Sequence, residues 1–109
     1  MLGDDYRLEY LPLFYDDLLK TVEYISSELN NPGAANRLID SVEAAILERR
    51  PIAEAFEPFQ SAKDRKYPYY RIYVDNFIIL YVVIDKGEQG KVMEIRRLLY
   101  KGRKLDQIV

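Results

Sequence analysis

YRIYVDNFIILYVVIDKGEQGKVMEIRRLLY, residues Tyr70 to Tyr100, reads as three strands joined by two short connections. Tyr70 to Val74 is rich in aromatic and β-branched residues and forms the first of them. Asp75-Asn76 is a two-residue connection made of residues that tolerate positive φ, which predicts a hairpin. Phe77 to Ile84 is an unbroken apolar run, the pattern of a central strand covered on both faces. Asp85 to Gly90 is a turn, and Lys91 to Tyr100 is the last strand. Strict alternation in that strand puts Val92, Glu94, Arg96, Leu98 and Tyr100 on one face. Met93, Ile95, Arg97 and Leu99 fall on the other.

Working outward, Tyr6 to Leu11 is a short first strand stopped by Pro12, which cannot donate to a ladder. Phe14 to Asn30 is a helix: Phe14, Leu18, Val22, Ile25 and Leu29 recur at helical spacing. Asp16 and Asp17 fall in its expected first turn, where the dipole favours carboxylates. Asn30, Asn31 and Pro32 form a stop signal. A second helix runs from Pro32 or Gly33 to Arg50, with Ala35, Leu38, Ile39, Val42, Ala45 and Ile46 as its apolar stripe and Pro51 at its end. The short connection makes the two helices an antiparallel hairpin. Ile52 to Pro68 has weak periodicity and two prolines, Pro58 and Pro68, and reads as a surface loop with room for one short helical turn. The predicted order is β-α-α-β-β-β. This is an α+β domain with a helical hairpin on one face of a small, mainly antiparallel sheet. The other face is left partly open, where a basic concave site could form.

A chain of 109 residues suits one domain with its own core. The absence of cysteine removes disulfides, thiolate catalysis and cysteine metal sites, and is compatible with a reducing cytoplasm. The absence of histidine removes the commonest acid–base group and metal ligand. No cofactor or metal is expected. No apolar run is long enough to span a membrane, and Met1 to Tyr10 lacks a signal-peptide pattern. The net charge of −2 conceals an asymmetry. Residues 1–59 hold five Lys/Arg against twelve Asp/Glu, and residues 60–109 hold eleven against six. The C-terminal half therefore offers a locally basic surface to nucleic acid or an acidic partner. The same charges also suit solvated faces.

Taken together, three stretches resemble the RelE/ParE superfamily of toxins from type II toxin–antitoxin modules. They are the Tyr-rich opening with Asp17-Leu18 and Tyr24-Ile25, the helix junction LNNPGAANRLID (Leu29 to Asp40), and RIYVDNFIILYVVID (Arg71 to Asp85) followed by RRLLYKGRK (Arg96 to Lys104). The resemblance covers about Tyr6 to Leu105. It implies a small cytoplasmic growth inhibitor restrained by a cognate antitoxin, with no membrane partner. Its target would be either the ribosome and its mRNA, which RelE-type members cut, or DNA gyrase, which ParE-type members poison.

RNA cleavage needs the 2′-hydroxyl deprotonated, positive charge on the phosphorane oxygens and a proton for the leaving oxygen. The resemblance places Arg71 at a basic family position on the second strand, Tyr100 where a histidine is common, and Arg103 at the tail arginine. These are the catalytic candidates. Lys63, Arg65, Lys66, Arg96, Arg97 and Lys101 are the candidates for nucleic-acid binding. A tyrosine with an ordinary pKa is a poor base at neutral pH, and Tyr100 equally suits core packing. Arg71 and Arg103 equally suit a solvated strand surface and tail. Two departures stand out: Lys101 occupies a usual glycine position, and Ile78 follows Phe77 where ribosome-dependent nucleases carry arginine. The acidic pI of about 5.2 also suits a phosphate binder poorly. The reading leans to a ribosome-dependent endonuclease, with gyrase inhibition as the alternative. A third possibility is a non-toxic corepressor that binds antitoxin and operator DNA, in which the Tyr67, Tyr69, Tyr70, Tyr73 cluster is interface.

Overall fold

The computed structural model describes residues 6–59 and 66–102. The elements follow the predicted order: β1 (Arg7–Tyr10), α1 (Pro12–Glu23), α2 (Pro32–Arg49), β2 (Tyr70–Val74), β3 (Phe77–Asp85) and β4 (Lys91–Tyr100). The sheet order is β1-β4-β3-β2. β1 runs parallel to β4, and the other two pairings are antiparallel. The α+β architecture read from the sequence is therefore the observed one, a helix pair on a mixed sheet.

α1 begins at Pro12, two residues before the expected start. Proline is accepted at a first-turn position because its missing N–H would have no helical partner there. This earlier start moves Asp16 and Asp17 out of the first turn, so they do not complement the dipole as expected. Asp17 serves a tertiary purpose instead: its carboxylate accepts the Leu98 N–H at 3.0 Å and two bonds from the Arg97 guanidinium at 2.7 and 3.1 Å. It satisfies β4 just beyond the point where β1 stops pairing with it.

The first helix also ends differently. After Glu23 the chain makes a π-helical turn, Tyr24–Glu28, closed by Leu29 N–H on the Tyr24 carbonyl at 3.1 Å. The wider turn breaks the four-residue spacing of the stripe. Ile25 still packs on the core, whereas Leu29 is 55% exposed. Asn30 then takes φ +51°, and the Asn31 side chain caps α2 by accepting the Ala34 N–H at 3.0 Å. α2 buries Ala35, Leu38, Val42 and Ile46.

β3 is central. Ile78, Ile79, Leu80, Tyr81 and Val82 are all buried. Ile79 and Tyr81 join the helix-side core with Phe14, Leu38, Val42, Ile46, Met93 and Ile95. Ile78, Leu80 and Val82 join a second cluster on the opposite face with Tyr69 and Leu99, flanked by Phe59 and Tyr67. That face is thus half covered by the segments bounding β2.

The strict alternation expected in β4 fails at a β-bulge. Leu80 pairs with Arg97 and Tyr81 with Ile95, leaving Arg96 as the extra residue. The inserted residue inverts every face beyond it. Leu98 therefore joins Met93 and Ile95 in the helix-side core, and Leu99 goes to the opposite cluster. The hairpin at Asp75-Asn76 forms as read, with Asp75 at φ +52°.

Candidate functional site

The open face is centred on Arg71. It lies opposite Leu80 on β2, which assigns it to the face away from the helices. Its guanidinium carbon is 5.0 Å from the Phe59 ring centroid and 5.9 Å from that of Tyr73. Phe59 is brought there by a single bridge to Tyr69, its N–H donating to the Tyr69 carbonyl. No ion pair engages the Arg71 side chain among the described residues. A guanidinium beside two rings presents its N–H fork, which suits a phosphate or carboxylate.

The other cations of this face are more committed. Arg96 forms a 2.8 Å ion pair with Glu94 and donates to the Tyr69 hydroxyl at 3.4 Å. Partial burial works against its charge, but the bonds it donates to Tyr69 and Glu94 outweigh this and raise its pKa. Arg97 is held by Asp17, the principal cause of its raised pKa. Lys66 is exposed, with its ammonium 5.4 Å from the Tyr67 ring centroid. Lys63, Arg65 and Arg103 lie outside the described residues.

Tyr100 is on the other side of the sheet. The bulge sends it to the helix face, where its ring meets Phe77 edge-on at 5.9 Å. It is 56% exposed and borders an apolar cleft of about 530 Å³ lined by Lys20, Tyr24, Ile25, Leu29 and Phe77. Lys101 is exposed next to it, its backbone N–H bonded to the Asn76 carbonyl at 2.7 Å. Arg71 and Tyr100 are therefore not brought together. They lie on opposite faces of the sheet. Ile78, at the position that departs from the nuclease pattern, is 3% exposed within the open-face cluster.

Arg49 was not singled out by its sequence context. From the last turn of α2 it donates to the Arg71 carbonyl at 3.1 Å and the Tyr81 hydroxyl at 3.0 Å. Its guanidinium carbon lies 3.6 Å from the centroid of the Phe56 ring. The Tyr81 hydroxyl in turn donates to the Ala53 carbonyl at 2.6 Å. Burial raises the Tyr81 pKa against the smaller opposing effect of Arg49, so the phenol stays protonated and able to donate. Nothing local in the run Arg49-Arg50 distinguishes this part-buried tertiary role from a dipole complement.

Among the described residues no cluster of acidic side chains could hold a metal ion, and no helix is long and apolar enough to cross a membrane.

Comparison with known proteins adds the family. No curated protein sequence matches the chain. A solved structure of the chromosomal ParDE toxin–antitoxin system from P. aeruginosa superimposes with a TM-score of 0.68 at 13% identity, covering 89% of this chain and 97% of that one. A chain of the archaeal RelE-RelB complex from Pyrococcus horikoshii OT3 aligns with a TM-score of 0.46 at 20% identity, covering 92% and 99% respectively. The family model described as ParE toxin of type II toxin-antitoxin system, parDE, matches residues 8–105. That span takes in both helices and all but the first residue of the sheet, and the chain belongs to this family, within the RelE/ParE superfamily of type II toxins.

Proposed function

We propose that this toxin arrests growth by binding its target through the open face around Arg71, and that the target is DNA gyrase. The observation that supports this reading is the separation of Arg71 from Tyr100 by the sheet. Cleavage of RNA requires a base, an acid and phosphorane stabilisation around one phosphate. Inhibition by binding requires only an accessible, preorganised surface, and half-buried Arg71 beside Phe59 and the exposed Tyr73 supports one. A cognate antitoxin restrains the toxin in the cytoplasm, where gyrase works. The toxin–antitoxin system of the similar ParDE structure supports that partner.

The competing reading is a ribosome-dependent mRNA endonuclease. Its support is the same Arg71, whose guanidinium beside two rings suits a phosphate next to a stacked base. In that reading Arg71, Tyr100 and Arg103 act on the phosphate, and Lys63, Arg65, Lys66, Arg96, Arg97 and Lys101 hold the RNA. The buried Ile78 and the pairing of Arg97 with Asp17 weigh against it. A corepressor without toxicity would use the same fold for antitoxin binding alone.

The deciding experiment is a supercoiling assay with purified gyrase and plasmid. Wild-type toxin should inhibit it, and adding the antitoxin should restore it. Arg71→Ala should lose about tenfold to a hundredfold in potency, the range for one charged hydrogen-bonding group. Undisturbed supercoiling with cut transcripts in the cell would transfer the function to the nuclease reading.

A further inference from the structure

We infer that Arg49 is the positioning residue of the open face, holding Arg71 and its aromatic flank in the geometry that engages the target. The inference rests on the proposed role of Arg71. Three observations meet at one guanidinium. Arg49 bonds the Arg71 carbonyl, so it fixes the backbone of that residue on the outer edge of β2. It bonds the Tyr81 hydroxyl, which passes the connection to the Ala53 carbonyl. It lies against the Phe56 ring. Ala53 and Phe56 belong to the segment that leads to Phe59, the ring beside the Arg71 guanidinium. One side chain from α2 therefore ties down both halves of the cluster: the strand that carries Arg71 and the segment that carries its neighbour.

The chemistry suits arginine. One terminal nitrogen donates to both acceptors while the guanidinium lies against an aromatic ring. A lysine ammonium has protons for both acceptors but no planar face to lay on the ring. The guanidinium also covers the outward carbonyl of an edge strand, a group that otherwise pairs with any approaching strand. Arg49 has no need to touch the target; it acts through Arg71.

The test is the inducer dose that halves growth, measured for the full chain and its variants, alongside antitoxin binding and thermal unfolding. Arg71→Ala should raise the dose. Arg49→Gln should raise it about tenfold, as expected for loss of a charged hydrogen bond, while the antitoxin is still bound. Arg49→Lys should fall between Arg49→Gln and wild type. Combining Arg49→Gln with Arg71→Ala should add nothing to Arg71→Ala alone, because a residue that acts only through Arg71 has nothing left to position. A merely structural role would instead make the two changes additive, and additivity overturns the inference. A wild-type dose for Arg49→Gln with an altered dose for Arg71→Ala overturns it too, and leaves the open-face reading intact. A wild-type dose for Arg71→Ala overturns both. If Arg49→Gln does not fold, Tyr81→Phe removes the link to Ala53 while keeping the bond to Arg71. It should raise the dose in the same direction, and a wild-type dose for it would count against the inference.

Discussion

The two faces of the sheet are built from one strand set and behave differently. The helix face is filled by side chains from every element, and its residues lie in a single contiguous cluster. The open face has a smaller apolar cluster, covered among the described residues by Phe59, Tyr67 and Tyr69 from the segments bounding β2, with cations along it. One face is set by volume and the other by charge placement. Substitutions on the first should therefore change stability, and substitutions on the second should change activity.

The largest expected effect lies on the helix face. Ile79 is fully buried in that core, and Ile79→Ala should cost about 2–5 kcal/mol by lost transfer and a cavity. Chemical denaturation would show the midpoint falling with little change in slope. A loss below 1 kcal/mol would mean that the core relaxes around the gap.

Next is Asp17→Ala, at the edge where the two faces meet. It leaves the Leu98 N–H and the partly buried Arg97 guanidinium without their acceptor, at a cost of about 2–3 kcal/mol. Asp17→Asn keeps one acceptor oxygen and should cost less. Equal losses for the two variants would show that the carboxylate charge is what matters.

Smaller again is the alkaline limb of stability. Burial raises the pKa of Tyr81, Tyr10 and Tyr70 above the ordinary value of 10.0. The folded state thus holds these protons more tightly than the unfolded chain. Their contribution is complete below about pH 10 and is lost as pH rises through the folded values. Thermal melting from pH 8 to 11 should be flat and then fall, and Tyr81→Phe should lessen the fall. A fall beginning near pH 8 would need another group.

The smallest stability effect should be that of Arg71→Ala on the open face, within about 0.5 kcal/mol of wild type, because no ion pair among the described residues depends on that side chain.

How much of this was legible in the chain follows from where each signal resides. The β3 run Phe77 to Ile84 and the α2 stripe Ala35, Leu38, Val42, Ile46 carry their burial in local pattern, so strand, helix and layer could be read directly. The π turn after Glu23 and the bulge at Arg96 each insert one residue into a periodic pattern. No period counts such an insertion, so Leu29 and Leu98 were placed on the wrong side. Tyr100 inherits the second error: its face depends on a bulge four residues earlier. Arg71 entered the candidate site through the family resemblance, and its place on the second strand was legible. Arg49 and Phe59 were not, because their roles arise from contacts 22 and 12 residues away in the chain.

The central claim is that Arg71 acts on a target by binding and not by cutting RNA. Primer extension on cellular transcripts after induction, run beside an assay for gyrase-linked DNA breaks, tests it most directly. The expected result is intact transcripts with DNA breaks that disappear in Arg71→Ala. Codon-phased cuts in mRNA without DNA breaks would contradict it.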